Sequence, residues 1–560
     1  MEVDAIVIGT GLTESIAAAA LSKAGYSIAH IDANPYYGGD DASLTLDELV
    51  EWADRRSTAS GLQDTYQSAQ LAKFTSIIRS PSVPSQSRQY SLSLAPSIIP
   101  SVGPLIGTLI TSGVSRYGGF KLLERVAIFD APGRVKPVPG SKEDVFKDKE
   151  LSLLDKRRLM RFLMFAGGDF EGKTELEGNE QTPFIAFLHD KFSLDNKTAG
   201  AIAFALAFCM SDTDPTLPAL QRVRQYLRSA GRYGSSPFLV GHYGGIGEIA
   251  QGFCRTAAVN GATYILGRPI STVSSLSDPE PSSSSGKRYN IELEGLAEQL
   301  HSDLILSGPD YITPPFLSRE GPATTTSRNS YPITRCIAII DYPVSFSTTG
   351  PSGDNEITAN ADIAEPTEET DEVQEEISGP VVDTALLVFP PSSLPNGSAT
   401  VAAQVLITGE GSMSTPKDKW VLYISLPLLD AEARTQTAEH LLRPYVDATL
   451  SLTTRPSDCD APHALFTLFY IQQPPTSSPS VEAHSALLLT PPCAPLMSER
   501  GDSAATEAET MFWKAVGALK AAGRRPRAKD GEEAGRDEAR DVGAFWPPLD
   551  AAADETGDDW

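Results

Sequence analysis

Asp4-Ala5-Ile6-Val7-Ile8-Gly9-Thr10-Gly11-Leu12-Thr13-Glu14-Ser15 is the stretch that decides the fold. Its apolar run, residues 4–8, is of the kind that makes a buried parallel strand. Gly9-Thr10-Gly11 turns at once, and Leu12 opens an alanine-rich helix expected to reach about Lys23. A second strand, residues 27–31, ends in Asp32. This is the β-turn-α-β unit of a dinucleotide-binding fold with one departure: Glu14 stands at the third glycine of the G-x-G-x-x-G fingerprint. In a working site the free N–H groups and dipole of the helix N-terminus favour the pyrophosphate. A carboxylate in the first turn satisfies the same donors and repels a phosphate. It is also bulky where the third glycine lets helix and strand approach. Asp32 still stands about twenty residues on, where a ribose hydroxyl would be bound. Gly9, Gly11, Glu14 and Asp32 therefore read as a vestigial nucleotide turn. The fold is announced, and no cofactor is expected, FAD included.

Working outward, 560 residues allow two or three domains with buried cores. A formal net charge of −26 argues against a nucleic-acid partner, which would be bound against self-repulsion. Five scattered cysteines without a C-x-x-C pair indicate a reducing compartment. Cys459 and His463 lie four apart, but Pro462 denies them a helix, and no metal site is expected. The chain starts directly in a strand without a basic leader, and no run of about 20 apolar residues occurs. The last residues, Gly557-Asp558-Asp559-Trp560, carry no prenylation box. These features point to a cytoplasmic protein.

Ser43 is a candidate cap for a helix over residues 44–52. Residues 55–88 are rich in Ser, Gln and Thr and read as loop. The chain then turns apolar and proline-broken through Leu105, Ile106, Leu109, Ile110 and Val114. Residues 131–227 carry helical patterns and no strand signal, and so read as an inserted all-helical domain. Sheet character returns over 228–520, with a helix at 248–260, a hairpin over 272–293 and a parallel strand at 302–306 returning to the first sheet. Later apolar runs, at 336–340, 385–389, 401–407, 420–426 and 465–471, predict a mixed or antiparallel second sheet. The fold class is α/β: a parallel-sheet domain of FAD/NAD(P)-binding type, begun by residues 1–130, with a mixed β-sheet layer and a small helical insertion. Residues 353–380, dense in acids without Lys or Arg over 354–376, read as a disordered loop, and 521–560 as a disordered tail.

Ile8-Gly9-Thr10-Gly11-Leu12-Thr13-Glu14-Ser15 and Asn34-Pro35-Tyr36-Tyr37-Gly38-Gly39 together resemble the opening of the Rab GDP-dissociation inhibitor and Rab escort protein family. The resemblance continues at Ser115-Arg116-Tyr117, at Gly231-Arg232-Tyr233-Gly234-Ser235-Ser236-Pro237-Phe238, at Tyr243-Gly244-Gly245-Ile246-Gly247-Glu248 and at Gln251-Gly252-Phe253-Cys254-Arg255. It implies a flavoprotein-like scaffold that binds GTPases and does no redox chemistry. Three features resemble the escort branch: the runs 141–146 and 149–151 leading into Lys156-Arg157-Arg158-Leu159-Met160-Arg161-Phe162-Leu163-Met164-Phe165, the chain's length, and Cys254. Leu12-Thr13-Glu14 reads more like the recycling branch.

The resemblance also implies roles. Tyr37, Glu248, Arg255 and Ile265 match the platform that reads GTPase switch regions. Taken alone, Glu248 and Arg255 share a helix face and equally describe a solvent-exposed ion pair. Arg232, Ser236 and Phe238 match a mobile loop tied to membrane delivery, or else form a tight glycine-proline turn. Leu105, Ile106, Leu109 and Val114 resemble the groove for the Rab C-terminus, with core packing the alternative. Residues 199–210 are a lipid-pocket wall or core, and Phe162, Phe165 and Arg161 a transferase contact, with core burial the alternative for phenylalanine. The expected function is a non-catalytic escort, the accessory component A of Rab geranylgeranyltransferase. It would take Rab-family GTPases in the GDP form, meet the transferase heterodimer, shelter the geranylgeranyl lipid and touch membranes transiently. The alternatives are a recycling inhibitor that does not bind the transferase and a flavin-dependent oxidoreductase.

Overall fold

The computed structural model describes residues 1–58, 65–138, 152–275, 287–312, 331–347, 381–454, 462–474, 486–527 and 542–547. The acidic stretch 354–376, the run 141–151, the loop 279–286 and Cys459 lie outside the described residues.

Ala5–Ile8 is buried along its whole length, as an apolar run in a doubly covered sheet must be. It pairs in parallel with Ile28–Asp32 on one side (Ala5 opposite Ile28) and Leu304–Ser307 on the other (Ala5 opposite Leu304). Thr263–Leu266 and Leu487–Leu489 complete a five-stranded parallel sheet. The first helix, Leu12–Lys23, packs on this sheet between two others, Ile246–Val259 and the long C-terminal helix Arg500–Ala521. Its alanines, Ala17 through Ala20, are all fully buried, because only small side chains let three helices pack this closely.

The second layer is an eight-stranded mixed sheet. Its order is Phe74–Arg79, Phe466–Gln472, Ile333–Ile340, Trp420–Pro427, Ala403–Thr408, Thr384–Phe389, Arg125–Ala131 and Arg134–Pro137. Along Ile333–Ile340 the side chains alternate. Ile337 and Ile339 face the helical insertion, while Cys336, Ala338 and Ile340 face the helix Ala438–Leu450. The insertion consists of Leu153–Gly167, Phe184–Phe192, Asn196–Ala201 and Thr216–Ser229. No helix among the described residues is long and apolar enough to cross a membrane.

Four expectations change. Residues 55–88 are not simply loop: the helix expected over 44–52 is Leu46–Ser57, and Thr65–Lys73 is a helix feeding Phe74–Arg79 into the mixed sheet. Ring stacking of Tyr66 on Tyr311 and the Lys73–Asp310 ion pair at 2.7 Å hold that segment, which hydropathy cannot register. The boundary drawn at residue 130/131 falls inside the hairpin of Arg125–Ala131 with Arg134–Pro137. The apolar run 199–210 is not one helix, because a π-helical turn, Ile202–Leu206, interrupts it. In the tail expected to be disordered, Phe545 is buried 5.2 Å from the Phe512 ring, and Trp546 lies 6.0 Å from that of Phe253.

Candidate functional site

Gly9 takes a φ of +95°, which glycine adopts without strain, and a Cβ there would stand 2.8 Å from the Tyr311 ring. A Cβ on Gly11 would stand 2.6 Å from a Glu14 carboxylate oxygen. Tyr311 and Glu14 thus crowd the turn, leaving Gly9 and Gly11 on the wall of a small cavity. The Leu12 amide, one of the free donors of the helix N-terminus, donates to Asp41 Oδ2 at 3.0 Å. Arg500 Nε donates to Asp41 Oδ1 at 2.8 Å, so the anion at the helix end is a carboxylate already paired with a guanidinium. Glu14 is buried beside it and accepts from the Thr490 hydroxyl. Burial pushes its carboxyl up to about 7, and the charges of Asp41 and Asp32 push the same way.

Asp32 is equally occupied. It accepts from Thr10 N at 2.8 Å, Thr10 Oγ1 at 2.6 Å, Asn34 N at 2.8 Å, Asn34 Nδ2 at 2.9 Å and the Tyr311 hydroxyl at 3.0 Å. No lone pair is left for a ribose hydroxyl. A cavity of about 210 Å³ remains beyond Glu14 and Asp41, below the roughly 300–1,000 Å³ of ordinary ligand pockets. A pyrophosphate would meet Glu14 and Asp41 at the helix end and the Tyr311 ring over Gly9. The residues present do not fit a dinucleotide.

Glu14 yields a pH prediction. Its folded pKa lies above the ordinary 4.5, so its stabilising contribution is full below about pH 4.5 and lost as pH rises through 7. The gap corresponds to about 3 kcal/mol against the protein above neutrality. Glu14→Gln is therefore expected to raise stability at pH 8 by up to this amount, with the gain vanishing near pH 5. Urea unfolding at both values checks it, and a pH-independent difference would contradict it.

A second surface is built on Ile246–Val259, the helix packed beside Leu12–Lys23. Glu248 is half-buried and Arg255 exposed on its outer side. The two do not form an ion pair among the described residues; the Arg255 guanidinium lies 4.8 Å from the centre of the Tyr117 ring. Burial pushes the Glu248 carboxyl up. Tyr37 and Glu248 line one open cleft of about 560 Å³ together with Tyr243, Gln251 and Glu48. Ile265 does not join them. It faces the opposite side of the parallel sheet, packed with Ile6 and Ile31, whereas Tyr264 lies 5.8 Å from the Tyr37 ring. Strand alternation separates the two neighbours.

Other candidates fare less well. Phe238 is buried, 4.7 Å from the Tyr226 ring, and anchors the loop in which Arg232 is exposed; Ser236 Oγ accepts from Phe238 N at 3.3 Å. Leu105, Ile106, Leu109 and Val114 are all buried in the core shared with the first and C-terminal helices, so they line no open groove; Ile110 is the exposed neighbour. Phe162 is fully buried and Phe165 nearly so, because Leu159, Phe162, Leu163 and Ala166 form the inward face of their helix. Phe162 packs 5.3 Å from Phe192 and 6.1 Å from Phe184. Arg161 is exposed, 5.0 Å over the Phe192 ring, on an outer face shared with Leu153, Arg157 and Met164. Sequence reasoning missed Asp41, Tyr311, Thr490 and Arg500 altogether.

A family model described as GDP dissociation inhibitor matches residues 1–358. A Candida albicans protein named Rab proteins geranylgeranyltransferase component A is 31% identical over 425 residues, 75% of this chain and 59% of that protein. Its namesake in Saccharomyces cerevisiae is 30% identical over 426 residues, 76% of this chain and 61% of that protein. The chain thus spans about three-fifths of the length of these curated relatives. Among solved structures, a Rab GDI from Plasmodium falciparum aligns with a TM-score of 0.58 at 17% identity, covering 92% of this chain and 98% of that one. An oxidoreductase from Methanosarcina mazei aligns with a TM-score of 0.50 at 14% identity, covering 92% and 100%. These two likenesses show the fold, and the parallel sheet with its mixed second layer is the architecture expected from the sequence.

Proposed function

This chain belongs to the GDP dissociation inhibitor family, and we propose that within it the protein is a non-catalytic Rab escort. In this reading it binds GDP-bound Rab GTPases, presents them to Rab geranylgeranyltransferase as the accessory component, and delivers the prenylated product to membranes. The observation that carries the reading is a contrast on one scaffold. The nucleotide turn is closed by Glu14, Asp41 and Arg500, while the adjoining face offers Tyr37 and Glu248 in an open cleft. The names of the two fungal relatives favour the escort over the recycling inhibitor. The protein works without FAD, from the cytosol, with peripheral and transient contact at membranes.

Switch regions are ordered by the γ-phosphate, so a platform that reads them distinguishes GDP from GTP. Glu248 carries a partly desolvated carboxylate with no cationic partner among the described residues, which a cationic group of the GTPase would satisfy. A prenyl chain gains about 0.8 kcal/mol per methylene on leaving water, so about twenty carbons need shelter. The apolar cluster of Ala199, Ile202 and Phe204 with Phe187 and Phe192 would supply it by opening. The transferase would meet Arg161, Arg157 and Met164 on the outer face of Leu153–Gly167.

Binding to Rab loaded with GDP or with a non-hydrolysable GTP analogue tests the reading. GDP-Rab should bind more tightly, and Glu248→Ala with Arg255→Ala should weaken it roughly 10- to 100-fold, about 1.4–2.7 kcal/mol. Equal affinity for both nucleotide forms, or an unchanged double mutant, would remove this surface from the platform.

A further inference from the structure

Tyr243 and Met413 are two large side chains that the chain exposes at the expense of its own backbone. Tyr243 is 47% exposed at a φ of +52°, and Met413 is 50% exposed at +53°. A bulky residue in the left-handed region is an outlier, because its Cβ crowds the backbone. Met413 follows the single helical turn Glu410–Ser412 at a position that glycine or asparagine usually takes. Half of each side chain stays in water, so burial within the chain does not offset the strain. The two loops are also joined. Tyr243 N donates to Ser412 O at 3.2 Å and Gly244 N to Ser414 Oγ at 3.0 Å, so the neighbours of Met413 hold the Tyr243 turn. Ser91 N donates to Ser414 O at 2.9 Å and ties the same loop to the wall of the Tyr37–Glu248 cleft. A Cβ on Gly244 would collide with Ser43 Oγ, on that same wall.

We propose that Tyr243 and Met413 together form the apolar anchor with which the protein holds the GTPase bound at that cleft. Backbone strain persists where function uses the group that it presents. Tyr243 lines the cleft alongside Tyr37, Glu248 and Gln251, so the molecule that fills the cleft is the one that covers the anchor. The tyrosine comes from the turn between Phe238–Gly241 and Ile246–Val259, and the methionine from the loop between Ala403–Thr408 and Trp420–Pro427. The contact therefore reaches from the helix that carries Glu248 to the mixed sheet. A tyrosine is a rigid amphipathic anchor and a methionine an adaptable apolar one, which suits a partner whose switch regions change with nucleotide. Glu248 gives the cleft its charge selectivity, and the neighbouring pair adds apolar area, as in interfaces where a few anchors carry most of the affinity. This inference rests on the GTPase-binding reading above and extends it to two residues without charge.

Affinity for GDP-loaded Rab, with thermal unfolding of each full-length variant alongside, tests it. Tyr243→Gly with Met413→Gly should weaken binding about tenfold or more while Tm stays at or above the parent's, because glycine takes both φ values without strain. Tyr243→Phe, which keeps the ring, should bind as the parent does. Should the double glycine variant fail to fold, Tyr243→Asn with Met413→Asn also tolerates the left-handed region and should show the same loss. A folded double variant with parental affinity, while Glu248→Ala with Arg255→Ala still weakens binding, overturns the anchor and leaves the GTPase reading standing. Weakening that comes only with a lowered Tm in both double variants marks the pair as structural and overturns it too. No binding of GDP-Rab by the parent protein overturns both.

Discussion

Arg500→Met is expected to lower the unfolding free energy by about 3–5 kcal/mol, the usual cost of leaving one member of a buried ion pair unpaired. Arg500 is 8% exposed and Asp41 5%, so little water reaches either. Without the guanidinium, Asp41 keeps the Leu12 amide as its one close donor among the described residues. Its charge would then face Glu14 across the helix end, and the Glu14 carboxyl is raised by burial and, less, by that charge. The double variant Asp41→Asn, Arg500→Met should recover much of the loss, because the amide oxygen still accepts from Leu12 and no charge remains. Urea unfolding of the three proteins measures the cycle. A loss below about 1 kcal/mol for the single variant would mean that the pair contributes no more than a surface bridge.

The second large effect concerns the helix Leu153–Gly167. Phe162→Ala is expected to cost about 3–5 kcal/mol, because a fully buried ring contacting Phe184 and Phe192 would leave a cavity. Met164→Glu, on the solvent face of the same helix at 67% exposure, should change stability by about 0.5 kcal/mol or less. The two variants should therefore separate by assay: the first in thermal unfolding, the second in transferase binding. Weakened transferase binding by stable Phe162→Ala would reinstate the aromatic contact that burial argues against.

These two cases mark where sequence reading succeeds and stops. The parallel strands at Ala5–Ile8 and Leu304–Ser307 were legible because doubly buried strands are short apolar runs. The shared face of Glu248 and Arg255 followed from helical spacing. Glu14 was legible as a carboxylate standing where the fingerprint has its third glycine. The residues that close the turn were not legible: Arg500 lies 459 positions from Asp41 and Thr490 lies 476 from Glu14, and no local pattern links such pairs. Phe162, Leu105 and Leu109 failed for a different reason. An apolar residue on an amphipathic helix reads the same whether its apolar face meets a partner or the core, and only packing decides. Ile265 missed the platform by one strand position, which turns a side chain to the opposite face.

The escort reading meets its most direct test in reconstituted prenylation. Unmodified GDP-Rab, the transferase heterodimer and a prenyl donor are combined with and without this chain, and lipid incorporation into Rab is followed. The account predicts incorporation that depends on the added chain and falls with Glu248→Ala, Arg255→Ala. No incorporation above the chain-free control, with GDP-Rab still bound, would contradict the escort function and leave the recycling inhibitor.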